Sequence, residues 1–249
     1  PVQTGYAAIS DDWYGITPGT DGLLIMSLIR ELMRSGNIDV DYLRRYTNAP
    51  WLVIRNPGAA DDGLFLRDAD GEPQVIDRLT GAVISYKTKN VSVAMHGEVP
   101  LGSGGVATPV FTLIAETYMV DAYSPDTVAS TVGISAARIR QFTADLADAA
   151  FAKEVVINQP WTDWKGEKHE TMVGRPVSMH SMRGISAHSN GFQTCRALHV
   201  LQLMLGSIEV PGGWRSKPPY PKPPEAHPKP AGKPDQIRVG MPLAGAPLG

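Results

Sequence analysis

A single cysteine, Cys195, stands among the 249 residues. One thiol closes no disulfide within the chain and builds no cysteine cage for a metal. Basic excess is also missing: 23 Lys and Arg against 25 Asp and Glu leave a formal net charge of −2. Without a clustered positive surface, nothing points to a nucleic-acid partner, and no acidic tail suggests a solvating one. No apolar run reaches the roughly 18 residues that read as a membrane span. No leader peptide is visible, and no segment repeats. The sequence opens on Pro1 rather than Met and closes on "PLAGAPLG". From these two ends we expect an interior piece of a longer polypeptide.

What is present is enough apolar residue, 43 %, to bury a core. "DDWYGITPGTDGLLIMSLIRELMRSGN" reads as turn, helix and stop. Thr20 or Asp21 is the expected N-cap, Leu24, Leu28 and Leu32 with Ile25, Ile29 and Met33 form the apolar stripe, and Gly36 ends it. A shorter helix follows in "DVDYLRRYT", and "WLVIR" reads as a buried strand. Residues 56–106 alternate in short segments around the turn "DADGEP" and predict a β-rich insertion. Helices return in "TPVFTLIAETYMVDAY", with Thr108 as N-cap and Pro109 at N1, in "SPDTVASTVG", and in "SAARIRQFTADLADAAF" behind Ser135. "KEVVINQ" and "RPVSMHSM" read as strands around the polar loop "PWTDWKGEKHETMVG". From Pro211 the composition changes: eleven of the 21 prolines lie in the last 39 residues, which predicts an extended strap over 211–249. Strands alternating with helices predict an α/β fold, a Rossmann-like and mainly parallel sheet flanked by helices. Ligands of such sheets sit where helix N-termini point.

Two junctions fit that role. "ITPGTDGLL" delivers Thr20 and Asp21 to a helix mouth, where a carboxylate can accept from the N1–H and N2–H₂ edge of a guanine; alone, the pattern is that of an ordinary cap. "SMHSMRGISAHSNGFQTCRAL" passes from strand through a Gly-containing loop to a helix capped by Ser189 or Asn190. Backbone N–H groups there suit an anion or a polar heterocycle, and His188 can donate to a ring carbonyl or a phosphate.

Other patterns carry less. "VASTVGISAARIRQF" has helix-turn-helix spacing, giving as an alternative a DNA-binding regulator with an α/β sensing domain. Its second helix offers only Arg138 and Arg140 before turning acidic, so a plain helical hairpin is favoured. His169, His180, His188 and His199 fit no zinc spacing, and no protein-built metal site is expected. Cys195 has no nameable base and reads as a buried structural cysteine. The two tryptophans of "PWTDWKGEKHET" suggest a docking surface or lid.

Three blocks in order resemble the molybdopterin oxidoreductases of the dimethyl-sulfoxide-reductase family. "PVQTGYAAISDDWYGITPGTDGLLIMSLIRELMRSGNIDVDYLRRYT" is similar to the family's "ADEW", "PGTD" and "RYT" segments. "SPDTVASTVGISAARIRQFTADLA" resembles its "TPEWAAEITGIPAERIR" helices. "GISAHSNGFQTCRALHVLQLMLGSIEVPGG" is similar to its H-x-N-G…RAL…PGG loop and helix.

The resemblance implies a piece of a catalytic subunit, with residues 1–210 part of a domain binding molybdenum bis-molybdopterin guanine dinucleotide. It implies that Thr20 and Asp21 meet a guanine and that Met182, Arg183, Gly184, His188, Ser189 and Asn190 lie against pterin and phosphate. It places a 4Fe-4S cluster motif and the protein ligand to molybdenum before this piece, and leaves the catalytic residues unassigned. The insertion and the Pro-rich end resemble the branch acting on sulfite, thiosulfate and polysulfide; a formate-dehydrogenase-like member is the alternative. The implied partners are a membrane anchor, a small inorganic substrate and an iron–sulfur electron-transfer subunit. The implied location is a cytoplasmic, membrane-associated complex, with the periplasm as the alternative.

Overall fold

The computed structural model describes residues 2, 3, 5–163, 166–181 and 183–215. Its centre is set by apolar residues at helical spacing. In α1 (Asp21–Ser35), Leu24, Ile25, Leu28, Ile29 and Leu32 are all buried. A stripe this broad requires neighbours on several sides. They are α3 (Val110–Tyr118), α4 (Pro125–Val132), α5 (Ala136–Ala147) and α6 (Gly191–Met204). Phe111, Tyr118, Val128, Val132, Ile139, Ala197, Leu201 and Met204 complete this core, joined by Leu43 from α2 (Val40–Tyr46).

Local chemistry fixes the helix ends. Gly36, at φ 71°, lets its N–H reach the carbonyls of Leu32 and Met33 and stops α1. Asp39, Ser124 and Ser135 each cap a helix, accepting from the backbone N–H of Tyr42, Thr127 and Arg138. The start expected at Thr108 moves by one residue. Thr108 belongs to a strand, and its buried hydroxyl donates to the Gly97 carbonyl at 2.9 Å. Pro109 takes the N-cap place, and α3 begins at Val110.

"WLVIR" forms β1 (Leu52–Arg55), as expected. It pairs antiparallel with β5 (Val106–Pro109), Leu52 opposite Pro109 and Arg55 opposite Val106. The 56–106 insertion is β-rich, with β2 (Gln74–Ile76) paired to β3 (Val83–Ser85), and β4 (Val99–Pro100) on the far edge of β5. Leu52, Ile76 and Ala107 form its own small core.

The mixed helix-and-strand composition agrees with expectation; the mainly parallel sheet does not emerge from the described residues. β6 (Val155–Ile157) pairs with β9 (Met172–Gly174) and β7 (Trp161–Thr162) with β8 (Lys168–His169). Every named strand pair among the described residues is antiparallel. Paired strands here are joined by turns and loops, and no helix crosses over between two strands of one sheet; parallel pairing needs such crossovers. "RPVSMHSM" is not a strand either. Over its described residues 175–181 it runs without a ladder partner, Pro176 lacks an N–H, and Arg175 is drawn into ion pairs with Asp39 and Glu154. The expected polar loop "PWTDWKGEKHETMVG" folds instead into the β7–β8 hairpin and β9. At the start of the Pro-rich stretch, Trp214 bridges to Ile208 and its N–H donates to Ser207 at 2.7 Å; residues 216–249 lie outside the described residues.

Candidate functional site

α1 and α6 lie side by side and point the same way. At one end, a Cβ on Gly22 would stand 2.8 Å from Thr194 Oγ1. At the other, beyond both C-termini, the Asp39 N–H donates to the Met204 carbonyl at 2.7 Å. The two helix mouths singled out in the sequence are therefore neighbours, although they lie far apart along the chain. Across the mouth, a Cβ on Gly19 would lie 3.9 Å from His188 Nδ1.

The turn before α1 is held from behind. The Thr17 N–H donates to the Val132 carbonyl at 2.8 Å, and Gly133, at φ 84°, leaves just enough room for the Thr17 hydroxyl. The hairpin that resembles a helix-turn-helix thus supports the "PGTD" turn. Its basic residues are engaged within the chain: Arg138 with Asp12 at 2.9 Å and over the Tyr14 ring, Arg140 with Asp126.

Both mouths lack side-chain caps. Thr20 holds the N-cap place of α1, yet its hydroxyl donates back to the Thr17 carbonyl at 2.6 Å. Asn190 holds that place on α6 and also makes no capping bond. α2, α4 and α5 are capped, whereas α3, begun at Pro109, is not. Uncapped first-turn N–H groups carry the positive end of the helix dipole and accept an anion. Two such ends, pointing the same way, share this corner.

Around them, Asp21 begins α1, and no hydrogen bond or ion pair engages its carboxylate among the described residues. Arg183 and Gly184 open a 3-10 turn, Arg183–Ser186, with the Arg183 carbonyl taking the Ser186 hydroxyl at 2.9 Å. His188, Ser189 and Asn190 are exposed, and the His188 carbonyl accepts the Gly191 N–H at 2.9 Å. Met182 lies outside the described residues. The arrangement combines N–H donors for an anion, a free carboxylate for a donor edge, and an imidazole between them. Sequence reading gave Gly22 and Gly191 no packing role: the first lets α1 approach Thr194, the second lets α6 start against the Ser186 carbonyl. The signal was there, a glycine in the first turn of each helix.

Two further side-chain groups lie apart from these mouths. Asp163, Glu167 and His169 bring ligand atoms within 4.8 Å of one another. No sequence spacing announced them, because the β7–β8 hairpin folds them together. Asp163 Oδ1 takes the Glu167 N–H and Oδ2 meets His169 Nε2 at 3.1 Å, with the imidazole stacked on Trp161, so the group serves its own turn. Cys195, expected to be buried, is only partly so and lines a small cavity beside α6. A groove of about 1310 Å³ lies elsewhere, between α2, the insertion and the hairpin, with both signs of charge on its walls.

No family model matches the chain. Among individual proteins, a component of the sulfite dehydrogenase of Allochromatium vinosum is 41 % identical over the whole chain, which covers 26 % of that protein. The major subunit of the nitrate-inducible formate dehydrogenase of Escherichia coli is 26 % identical over 86 % of the chain, covering 18 % of its own length. The alpha component of the chlorate reductase of Ideonella dechloratans is 27 % identical over 56 %, covering 16 %. The chain spans about a quarter or less of the length of these relatives. Alike over its full length to the first and over more than half to the others, it belongs to the molybdopterin oxidoreductases.

Proposed function

We propose that this chain is part of the catalytic subunit of a molybdenum bis-molybdopterin guanine dinucleotide oxidoreductase acting on a small inorganic sulfur compound. The observation that carries the reading is the pairing of α1 and α6, which sets two uncapped helix mouths together. The residues present fit such a cofactor. A dinucleotide brings phosphates for the exposed N–H groups, a guanine edge for the Asp21 carboxylate, and ring carbonyls for His188. When bound, the molybdenum supplies the two-electron chemistry, and the protein orients and tunes it.

The chain's own residues bind and position. Asp21 accepts two hydrogen bonds from a guanine, with Thr20 holding the turn that aims it. The first turn of α6 faces phosphate. Arg183 neutralises charge beside it, while Met182, Gly184, Ser189 and Asn190 border the ring system. The name of the relative that matches the whole chain favours a sulfur oxyanion such as sulfite as substrate. That relative is named as one component of a larger enzyme. The partners proposed here are a membrane anchor and an iron–sulfur electron-transfer subunit, with a 4Fe-4S cluster carried elsewhere in the polypeptide. Among the described residues no helix is long and apolar enough to cross a membrane. We place the complex on the cytoplasmic side. β6 exposes Val155, Val156 and Ile157, as an edge strand would if a larger, mainly parallel sheet continued from it in the whole protein.

The test is elemental analysis for molybdenum and fluorescence of oxidised pterin on the same sample of the full-length protein, made in a host that builds the cofactor. One metal with two pterins per polypeptide is expected. Neither group in such a sample overturns the reading.

A further inference from the structure

The turn that begins α1 runs over Thr17, Pro18, Gly19 and Thr20. Gly19 stands third at φ 82°, and the Thr20 N–H donates to the Thr17 carbonyl at 3.2 Å. With proline second, this is the pattern of a type II turn. The Thr20 hydroxyl donates to the same carbonyl at 2.6 Å, and the Thr20 carbonyl takes the Leu24 N–H at 3.0 Å. What fixes Thr17 therefore also fixes the direction in which α1 sets out, with Asp21 at its head.

Thr17 is fixed by the α4–α5 hairpin. The last carbonyls of a helix have no partner within it. Val132 ends α4, and its carbonyl accepts the Thr17 N–H at 2.8 Å. A Cβ on the next residue, Gly133, would stand 2.8 Å from Thr17 Oγ1, with the Thr17 N at 3.6 Å and its Cβ at 4.0 Å. Only the hydroxyl is too close. The run into the turn follows the same hairpin: Asp12 pairs with Arg138 at 2.9 Å, the Tyr14 ring stacks on Phe142 at 4.8 Å, and the Arg138 guanidinium lies over Tyr14.

We propose that Gly133 and Arg138 are positioning residues for the guanine end of the cofactor, acting through the 12–17 run and Thr17 to aim Asp21, a role that rests on the guanine dinucleotide proposed for this mouth. Neither residue touches the cofactor. A carboxylate that accepts two hydrogen bonds from one guanine edge has to meet both donors nearly in line, because such bonds weaken steeply off axis. Asp21 has no hydrogen bond or ion pair among the described residues to orient it, so its aim comes from the backbone. The hairpin with helix-turn-helix spacing thus acts as a template for the turn, and the arginine that a DNA reader would turn outward is used within the chain.

The experiment compares two glycines in the same backbone state. Gly133 and Gly36 both end a helix, at φ 84° and 71°, but a Cβ on Gly36 would meet nothing within 4 Å. Gly133→Ala and Gly36→Ala therefore share the strain of a positive φ, and only the first presses on Thr17. β-branching leaves that side chain few rotamers, so the turn yields with it. Molybdenum and pterin are measured per folded polypeptide in the full-length protein, made in a host that builds the cofactor, beside the melting temperature. Both variants should melt lower than wild type. Gly36→Ala should keep the wild-type cofactor content, and Gly133→Ala should hold about tenfold less, the scale of one lost hydrogen bond to a charged group. Adding Thr17→Ala to Gly133→Ala removes the hydroxyl and keeps the strain, so content should return while the melting temperature stays low. Equal content in the two single variants, or no return in the double variant, overturns the proposal. A wild type empty of both groups overturns the cofactor assignment as well. Should Gly133→Ala fail to fold, Arg138→Ala takes its place, since a half-exposed ion pair contributes little to stability: lower content at an unchanged melting temperature supports the proposal, and wild-type content overturns it.

Discussion

Gly22 faces Thr194 where the first turns of α1 and α6 meet, and a Cβ there would come 2.8 Å from the threonine hydroxyl. This contact sets the separation of the two helix mouths. Gly22→Val should force them apart and lower stability by about 1–3 kcal/mol, the usual cost of overpacking. Thr194→Ala in the same chain should return part of the loss, because it removes the atom that is met. Thermal denaturation of the two single variants and the double variant measures the coupling. Additive losses would mean that the two residues do not share the contact.

Asp21 should behave differently. With no hydrogen bond or ion pair among the described residues, its carboxylate contributes to folding only through the dipole of α1, a few tenths of a kcal/mol. Asp21→Ala should leave the melting temperature nearly unchanged and lower molybdenum and pterin content together, because a guanine anchor is gone. Asp21→Asn, which retains one acceptor, should fall between. Unchanged metal content in Asp21→Ala would remove the anchoring role.

The contrast between these residues shows what the sequence could disclose. α1 with its Gly36 stop, and the serine caps of α4 and α5, follow from rules acting within a few residues, so 21–35, Gly36, Ser124 and Ser135 could be read directly. The two mouths could be read for the same reason. Their adjacency could not, because it depends on α1 and α6 packing in parallel across more than 150 residues of chain. The sheet failed for a related cause. β-rich segments identify strands by local pattern, but partner and direction are long-range choices, and turns such as Asp163–Glu167 decided them as antiparallel hairpins. The identity of the cofactor came from resemblance; charge and spacing led only to a nucleotide-like ligand.

Asp39 joins the far end of the site's scaffold. One oxygen caps α2 through the Tyr42 N–H at 2.9 Å, and the other takes both Nε and Nη2 of Arg175, at 2.9 and 2.8 Å. The two side chains are only 13 % and 14 % exposed. Asp39→Ala should therefore cost about 3 kcal/mol, since it uncaps a helix and leaves a largely buried guanidinium with Glu154 as its remaining anion. Asp39→Asn preserves the cap but not the charge and should cost less. Urea midpoints of the two variants give the comparison, and equal losses would assign the whole effect to the ion pair with Arg175.

Tyr42 gives the fold a dependence on alkaline pH. Its hydroxyl donates to the Ile208 carbonyl at 3.1 Å, tying α2 to the segment after α6. Burial, and after it the Asp39 carboxylate, pushes its pKa from 10.0 up to about 12. The folded chain therefore favours the neutral phenol. Below pH 10 the phenol is protonated in folded and unfolded chains alike, and the stabilisation is fully present. As pH rises from 10 through about 12, the unfolded chain releases its proton first, and the contribution is lost. Tyr46 and Tyr118 are raised in the same direction by burial, so wild type alone does not isolate the effect. The difference between wild type and Tyr42→Phe does. The variant should be less stable at neutral pH, because Ile208 loses its donor, and the gap between the two proteins should narrow through this window. Urea midpoints taken from neutral pH upward measure that gap, and a gap constant with pH would mean that the Tyr42 phenol titrates alike in the folded and unfolded chains.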